Sequence, residues 1–257
     1  ETYKCKHKAF IDKPMRSDLQ LLTEVLKNPD IYRLETPISH IIEREPDFIT
    51  YGDACLSAAG GFSENNFWWH LEWPEDIKQL TIKHLLVARK CRNTNSLVSI
   101  NILEFAVEII NYAAISTMFA NNTDLCNHEY PTLLNWTDNM SSKAWIKKVA
   151  SKSKKGKALQ RILCSLMINN PLGIDTEYIP GEHNILADKI SRIYSSSSSH
   201  YNINTLFTEF PQMVSWQRFH PSQELLSAIY LALLKEQGQG LRPPKNLGHF
   251  TPDKGIS

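Results

Sequence analysis

The sequence lacks three features that would narrow its class at once: a cysteine framework, an excess of charge of one sign, and a long uninterrupted apolar run. Its five cysteines include no Cys-x-x-Cys pair, which indicates reduced thiols in an intracellular compartment. The 28 basic and 27 acidic residues leave a formal net charge of +1, so no chain-wide basic signal for nucleic acid exists. We expect a protein of the nucleus or cytoplasm.

The longest apolar stretch, residues 102–120, is interrupted by Glu104, Glu108 and Asn111. This pattern predicts a buried helix with one polar stripe and not a membrane span, so we expect no membrane partner. Residues 1–8 are polar and basic with no apolar run behind them, which disfavours a signal peptide. The chain opens without Met in mid-pattern, so we expect a segment of a longer protein.

Local patterns in the middle of the chain predict an α/β (α+β) fold. Residues 48–51 are β-branched and aromatic, and the turns at Gly60-Gly61 and Asn65-Asn66 divide residues 48–73 into three strands of an antiparallel meander. After the meander we predict helices and strands in alternation: helices over 101–118, 139–149, 157–168 and 185–194, and strands over 132–136 and 174–179. Together they predict a five-stranded mixed sheet flanked by helices.

The two ends of the chain have a different character. Near the start, Ser17 is a suitable N-cap for a helix over 17–27, and a second short segment covers 38–44. The five-serine run at 195–199 is typical of a linker. After it we predict an amphipathic helix over 221–235 and an irregular tail rich in glycine and proline.

Four carboxylates stand where predicted strands end or predicted helices begin: Asp53, Glu104, Asp138 and Asp188. Each has an ordinary structural alternative. Asp53 would be a turn aspartate after glycine, and Glu104 would form a capping box with Asn101. Asp138 would be a helix N-cap, and Asp188 would pair with Arg192 at i,i+4.

The joint position of the four acids favours a shared role. Side chains at strand ends and helix starts converge on one edge of a sheet, and clustered carboxylates repel one another unless cations neutralise them. Hard oxygen ligands prefer Mg²⁺ or Mn²⁺ to zinc. Two such ions, about 3.5–4 Å apart, support phosphodiester hydrolysis. The pattern therefore predicts a two-metal hydrolytic site.

Four motifs carry a resemblance to a known family. Tyr51-Gly52-Asp53-Ala54-Cys55-Leu56-Ser57-Ala58-Ala59-Gly60-Gly61 looks like the first-strand motif of retroelement ribonucleases H, and Ser99-Ile100-Asn101-Ile102-Leu103-Glu104-Phe105-Ala106 resembles the helix with the family's glutamate. Asn135-Trp136-Thr137-Asp138-Asn139-Met140-Ser141 is similar to the motif of the second aspartate, and Ile179 to Asp188 resembles the closing motif. The nearest overall likeness is to tyrosine-recombinase (DIRS-like) retrotransposons.

The resemblance implies an RNase H-like fold over residues 46–194 and cleavage of the RNA strand of RNA–DNA hybrids with two Mg²⁺ or Mn²⁺ ions. Residues 1–45 would then be the connection from an upstream reverse transcriptase polymerase domain, a partner of this segment. Residues 195–257 would hold the linker, the amphipathic helix and the tail. The family order Asp, Glu, Asp, Asp makes the four acids the catalytic and metal-binding residues.

Two further residues are auxiliary candidates. Glu108 lies one turn after Glu104 on the same helical stripe, and we prefer Glu104 because a helix start lies nearer the strand ends. His183 stands five residues before Asp188, which is closer than the loop histidine of cellular ribonucleases H, so a solvent-facing histidine is its alternative role.

A basic segment and two asparagines are candidate contacts to nucleic acid. The segment contains Lys147, Lys148, Lys152, Lys154, Lys155, Lys157 and Arg161. It predicts either a phosphate-gripping protrusion or a solvated basic loop. Asn139 and Asn184, which adjoin the acidic motifs, are expected at the hybrid as well. For most of Trp68, Trp69 and Trp73 we expect a role in the core in preference to base stacking.

Other functions stay open from the residues. A catalytically silent RNase H-like module that binds nucleic acid or a protein is the main alternative to the enzyme. A DDE-type recombinase core is disfavoured, because such enzymes usually end their motif set with a glutamate. Cysteine and histidine show no zinc-finger spacing, and Cys126 with His128 is the nearest approach to a zinc site.

Overall fold

The structure is a computed structural model, and it describes the following residues: 11–27, 45–87, 97–122, 126, 128, 130–148, 153–170, 172–193, 202–234 and 244–252. Helix α1 (Lys13–Lys27) precedes the sheet, and its Asp18 forms an ion pair with Arg161, 2.6 Å between Oδ1 and Nη2. The second short segment expected at 38–44 lies outside the described residues.

The described residues form one seven-stranded mixed sheet in the order β5-β4-β1-β2-β3-β6-β7. The strands are β1 (Phe48–Ala54), β2 (Ala58–Ser63), β3 (Phe67–Glu72), β4 (Thr132–Thr137), β5 (Gly173–Tyr178), β6 (Gln217–Pro221) and β7 (Gly248–Pro252). The first three strands form the predicted antiparallel meander, in which Asn66 takes a positive φ of 62° at the second turn. Strands β4 and β5 extend the sheet in parallel from the other side of β1.

Helices cover both faces of the sheet. They are α2 (Glu75–Val87), α3 (Ile100–Asn121), α4 (Met140–Lys148), α5 (Lys154–Asn169), α6 (Ile185–Ser191), α7 (Ile203–Glu209) and α8 (Gln223–Leu234). A Cβ on Gly52 would lie 2.2 Å from Val107 of α3, whereas a Cβ on Gly60 would lie 2.4 Å from Ile190 of α6. Glycines of adjacent strands therefore allow one helix to approach each face.

The main core lies between α3 and the sheet, with α5 and α8 packed behind it. Helix α3 is the one helix of the described residues that is long and apolar enough to cross a membrane, and 83% of its most apolar stretch is buried. A smaller cluster around Trp68, Met213 and Trp216 lies with α6 and α7 on the other face. Trp68 and Trp69 of β3 and Trp73, just after it, are buried, which confirms that they belong to the core.

The mixed α/β class with flanking helices is confirmed, but the predicted strand number is wrong. Strand β6 pairs in parallel with β3, and β7 pairs in antiparallel with β6. Both come from the part of the chain in which we expected only a helix and an irregular tail. Phe250 of β7 lies edge-on to Phe67 of β3, with ring centroids 5.3 Å apart. Aromatic packing therefore joins the terminal strands to the sheet.

Candidate metal centre

Three of the four predicted acids meet at the carboxyl ends of β1 and β4. Asp53 is the penultimate residue of β1, Asp138 follows β4 directly, and Glu104 projects from the second turn of α3. Each offers one carboxylate oxygen, and these oxygens all lie within 4.8 Å of one another. We name this group the acid cluster. It brings together residues from three separate motifs, as the sequence predicted.

Two members of the acid cluster are oriented by hydrogen bonds. The Ser191 hydroxyl donates to Oδ2 of Asp53 at 2.5 Å, and the backbone N–H of Ala54 donates to Oε1 of Glu104 at 3.2 Å. The second oxygen of Glu104 is buried and has no hydrogen-bond partner among the described residues. A buried carboxylate oxygen without a donor is costly unless a proton or a cation satisfies it.

Electrostatics in the acid cluster favour a cation. The pKa of Asp53 is raised to about 6, chiefly by burial and also by the charges of Asp138 and Asp188, while the Ser191 hydrogen bond lowers it. Burial and then the charge of Asp53 raise the pKa of Glu104 well above its ordinary value. Burial also raises the pKa of Asp138. A cation would offset the burial and the mutual repulsion that disfavour the charged forms of these three carboxyls.

Asp188, the fourth predicted acid, lies beside this group. Its charge acts on Asp53 and Asp138, but its Oδ1 accepts hydrogen bonds from Nε and Nη2 of Arg192, at 2.8 and 2.5 Å. The i,i+4 ion pair that was its structural alternative is therefore present. Asp188 is close enough for its charge to act on two members of the acid cluster, but its carboxylate is not among the oxygens that meet there, and it is paired with Arg192.

The structural alternatives for Glu104 and Asp138 do not hold. Helix α3 has Ser99 at its N-cap, so Asn101 lies inside the helix and forms no capping box with Glu104. The residue that caps α4 is Asn139, whose Oδ1 accepts from the backbone N–H groups of Ser141 and Ser142. Asp138 is one position too early for that role, and its carboxylate reaches the acid cluster instead.

The two asparagines expected at the nucleic acid have structural contacts. Besides capping α4, Asn139 donates through Nδ2 to Oδ1 of Asn101 at 2.9 Å, which ties α4 to α3. Asn184 is buried and donates through Nδ2 to the carbonyl oxygen of Gly52 at 2.9 Å. That burial contradicts the direct contact predicted for Asn184, which instead fastens the start of α6 to β1, next to Asp53.

Glu108 lies one helical turn deeper than Glu104. It is 2% exposed, it accepts a hydrogen bond from the Thr137 side chain, and burial raises its pKa to about 8. It is not among the oxygens that meet in the acid cluster. The structure thus places Glu104 at the strand ends, as we preferred, and gives Glu108 a buried position behind it.

Internal contacts involve three of the five basic residues of the predicted protrusion whose side chains the structure describes. Lys147 bonds to Glu177, and Arg161 pairs with Asp18. Lys155 is fully buried and donates through Nζ to the carbonyl oxygen of Leu233 at 2.5 Å, so its prediction as a nucleic-acid contact is wrong. Lys154 and Lys157 are exposed on α5. Lys152 lies outside the described residues, as does the side chain of Lys148.

His183 belongs to a 3₁₀ turn, Gly181–His183, that borders the acid cluster. A Cβ on Gly181 would lie 3.0 Å from Oδ2 of Asp138, so the turn approaches that carboxylate closely. The His183 side chain is 66% exposed, and its Nε2 lies 4.0 Å from Oε1 of Glu182. Its environment is that of a solvent-facing histidine beside the site.

Sequence reasoning missed the residue that holds Asp53 in place. Ser191 is buried near the end of α6, and its hydroxyl also contacts the carbonyl oxygen of Asp188 at 2.9 Å. The only sign of this role in the sequence was that Ser191 stands three positions after Asp188 in a predicted helix, because residues three apart share a helix face.

The chain has no match among known proteins in three comparisons: no protein-family model, no curated protein and no solved structure matches it. Function must therefore be inferred from the geometry of the acid cluster and from the motifs that form it.

Proposed function

We propose that this chain is the ribonuclease H domain of a retroelement reverse transcriptase, hydrolysing the RNA strand of RNA–DNA hybrids. The observation that carries the proposal is the meeting of Asp53, Glu104 and Asp138, with carboxylate oxygens within 4.8 Å of one another. These acids come from three of the four motifs that resemble the family's. An RNase H-like fold is supported by the meander β1–β3, its parallel extension through β4 and β5, and the flanking helices.

The residues present fit divalent metal ions. The donor set consists of carboxylate oxygens, the hard ligands that Mg²⁺ and Mn²⁺ prefer, and Glu104 holds one buried oxygen without a hydrogen-bond donor among the described residues. Two such ions would activate a water molecule and stabilise the leaving oxygen of the phosphodiester. The metals would be held most directly by Asp53, Glu104 and Asp138. Asp188 would complete the set of ligands if its carboxylate left Arg192 and bound a metal.

The remaining side chains serve orientation. The Ser191 hydroxyl donates to Oδ2 of Asp53 and so holds that carboxylate beside Asp138 and Glu104. Asn184 fixes the start of α6 against β1. A hybrid lying over the carboxyl ends of β1 and β4 would be recognised by its shape and its 2′-hydroxyls, and not by its base sequence.

The direct test is cleavage of an end-labelled RNA–DNA hybrid with Mg²⁺ by wild type, by Asp53→Asn and by Asp76→Asn. Asp76 is an exposed aspartate in the first turn of α2 and serves as the matched control. We expect cleavage of the RNA strand by wild type and by the control, and loss of at least 100-fold in Asp53→Asn. Equal activity in wild type and Asp53→Asn, or a folded but inactive wild type, contradicts the proposal.

Calorimetric titration with Mg²⁺ separates the enzyme from a silent RNase H-like module. The enzyme should bind Mg²⁺ in wild type and much more weakly in Asp138→Asn, because the variant loses one anionic ligand. A silent module should bind the ion equally weakly in both proteins. Circular dichroism of each protein confirms that the variants are folded.

A further inference from the structure

A second group of metal-binding side chains lies at the opposite edge of the sheet from the acid cluster. Asp47 immediately precedes β1, and Cys126 and His128 lie in the connection from α3 to β4. Because β1 and β4 are parallel neighbours, their starts lie side by side. Asp53 stands six positions after Asp47, which corresponds to roughly 20 Å along a strand. We name these three residues the loop cluster.

The donor atoms of the loop cluster are close to the spacing that a metal requires. Oδ1 of Asp47 lies 3.1 Å from Sγ of Cys126 and 2.5 Å from Nδ1 of His128, and Sγ lies 3.7 Å from Nδ1. In a tetrahedral zinc site, bonds of about 2.0–2.3 Å place neighbouring donor atoms about 3.4–3.6 Å apart. The three atoms need to move by about 1 Å or less to take up those positions.

The surroundings hold two of these ligands in the orientation that binding needs. Oδ2 of Asp47 accepts from the backbone N–H of Thr132 at 2.7 Å and from its hydroxyl at 3.2 Å, which leaves Oδ1 directed at the thiol and the imidazole. The backbone N–H of His128 donates to Sγ of Cys126 at 3.3 Å. A donor aimed at sulfur stabilises the thiolate, the form of cysteine that binds metals.

We propose that the loop cluster binds one Zn²⁺ ion through Asp47, Cys126 and His128. Sulfur and imidazole ligands select zinc, whereas the all-oxygen acid cluster selects Mg²⁺ or Mn²⁺. On binding, Cys126 releases its thiol proton to the solvent, and His128 coordinates through Nδ1 with its ring proton on Nε2. The His128 side chain is 54% exposed, so water can take the fourth position.

The ion would fasten the α3–β4 connection to the start of β1. The sequence spacing gave no zinc signal, because Asp47 stands 79 positions before Cys126 and only the fold brings them together. The site is independent of the hydrolytic function, because it uses none of the residues of the acid cluster.

Cobalt is the probe that tests the proposal, because Co²⁺ bound to a thiolate gives a sulfur-to-cobalt charge-transfer band in the near ultraviolet. The metal-free chain is titrated with Co²⁺ in excess Mg²⁺, alongside Cys126→Ser, His128→Ala and, as control, Cys164→Ser. Cys164 is a partly buried cysteine of α5 and has no part in the loop cluster. We expect one equivalent of Co²⁺ to produce the band in wild type and in Cys164→Ser, and at least tenfold weaker binding in the other two variants.

The same proteins are then melted with and without one equivalent of Zn²⁺. Zinc should raise the melting temperature of wild type and Cys164→Ser and leave that of His128→Ala unchanged. His128 is largely exposed, so its substitution should not disturb folding even if that of Cys126 does. The proposal is overturned if wild type shows no charge-transfer band, if the band persists in His128→Ala, or if it disappears in Cys164→Ser.

Discussion

The Ser191 hydroxyl donates a hydrogen bond to Oδ2 of Asp53, although 138 positions separate the two residues in the sequence. This buried bond joins the end of α6 to the end of β1, on the side of the helix that faces the sheet. It acts against the burial that raises the pKa of Asp53. The geometry of the acid cluster therefore depends on how α6 packs against the meander.

Ser191→Ala should weaken both stability and metal binding. The substitution leaves a buried carboxyl with one donor fewer, which should cost about 1–3 kcal/mol of the free energy of unfolding. It should also raise the pKa of Asp53 above about 6, because the lost hydrogen bond lowers it. Denaturant unfolding and Mg²⁺ titration at several pH values measure the two effects.

Ser165→Ala is the matched control for this experiment. Ser165 is a buried serine of α5 whose hydroxyl has no hydrogen-bond partner among the described residues. Its removal should leave stability unchanged or slightly higher, and Mg²⁺ affinity unchanged. An equal loss of stability and of Mg²⁺ affinity in both variants would mean that the Ser191–Asp53 hydrogen bond has no specific role in the acid cluster.

Glu104→Gln and Glu108→Gln should separate the two glutamates of α3. Glu104 lies in the acid cluster, so its substitution should abolish tight Mg²⁺ binding and hybrid cleavage. Burial raises the pKa of Glu108 to about 8, so this group is largely protonated at pH 7, and glutamine replaces it with little change in charge. Mg²⁺ calorimetry and hybrid cleavage of the two variants at pH 7 test the assignment, which is wrong if Glu108→Gln has the larger effect.

Without metal, the contribution of Glu108 to stability should fall as the pH rises from about 4.5 to about 8. The pKa of Glu108 is about 8 in the folded chain, whereas an unperturbed glutamate, as in the unfolded chain, has a pKa of 4.5. Between these values the folded chain holds a proton that the unfolded chain has released. Unfolding is then favoured by rising pH. In Glu108→Gln the decline should be shallower across this range, as measured by urea unfolding in the presence of a chelator. An identical slope in both proteins would contradict the raised pKa.

The basic residues of α5 should divide into structural and exposed classes. Lys155→Ala should destabilise the fold by about 2–4 kcal/mol, because it removes a fully buried side chain and leaves the Leu233 carbonyl without its ammonium donor. If the exposed Lys154 and Lys157 contact the hybrid, alanine there should lower affinity and flatten its salt dependence without lowering the melting temperature. Hybrid binding at several salt concentrations, combined with thermal melting, distinguishes these classes.

Gly60→Ala should shift α6 away from the sheet. The added Cβ would lie 2.4 Å from Cγ2 of Ile190 and 2.9 Å from the Ser191 backbone nitrogen, so the helix has to shift. Overpacking of this kind costs about 1–3 kcal/mol, and here the shift also moves the hydroxyl that holds Asp53. We expect Mg²⁺ affinity to fall together with stability. Stability lost with Mg²⁺ affinity retained would show that the acid cluster does not depend on α6.

The sequence predicted the elements whose signals are local. The β-branched strand β1, the glycine-marked meander and the apolar α3 were recognisable, and so were three acids whose motifs end strands or begin helices. Contacts between distant parts of the chain were not recognisable. Lys155 stands among exposed lysines, and only the position of Leu233, 78 residues later, shows it to be buried. Ser191 and Asp47 likewise gain their partners only through folding.

Strands β6 and β7 were missed for a related reason. Each has five residues, and β6 contains proline and alternates poorly, so neither gives a clear period of two. Their strand character comes from pairing with β3 and with each other. Helix α2 was also missed, because three of its large apolar residues, Ile82, Leu85 and Leu86, are exposed and blur its amphipathic pattern.

Completion of the sheet by β6 and β7 also determines the order in which a nascent chain can mature. All four acids have been synthesised once residue 188 is made, yet β3 gains its outer neighbour only with residues 217–221, and β6 gains its own with residues 248–252. Until then β3 of the nascent chain presents an open hydrogen-bonding edge, a state prone to aggregation. A fragment shortened to the four acids would carry that exposed edge permanently.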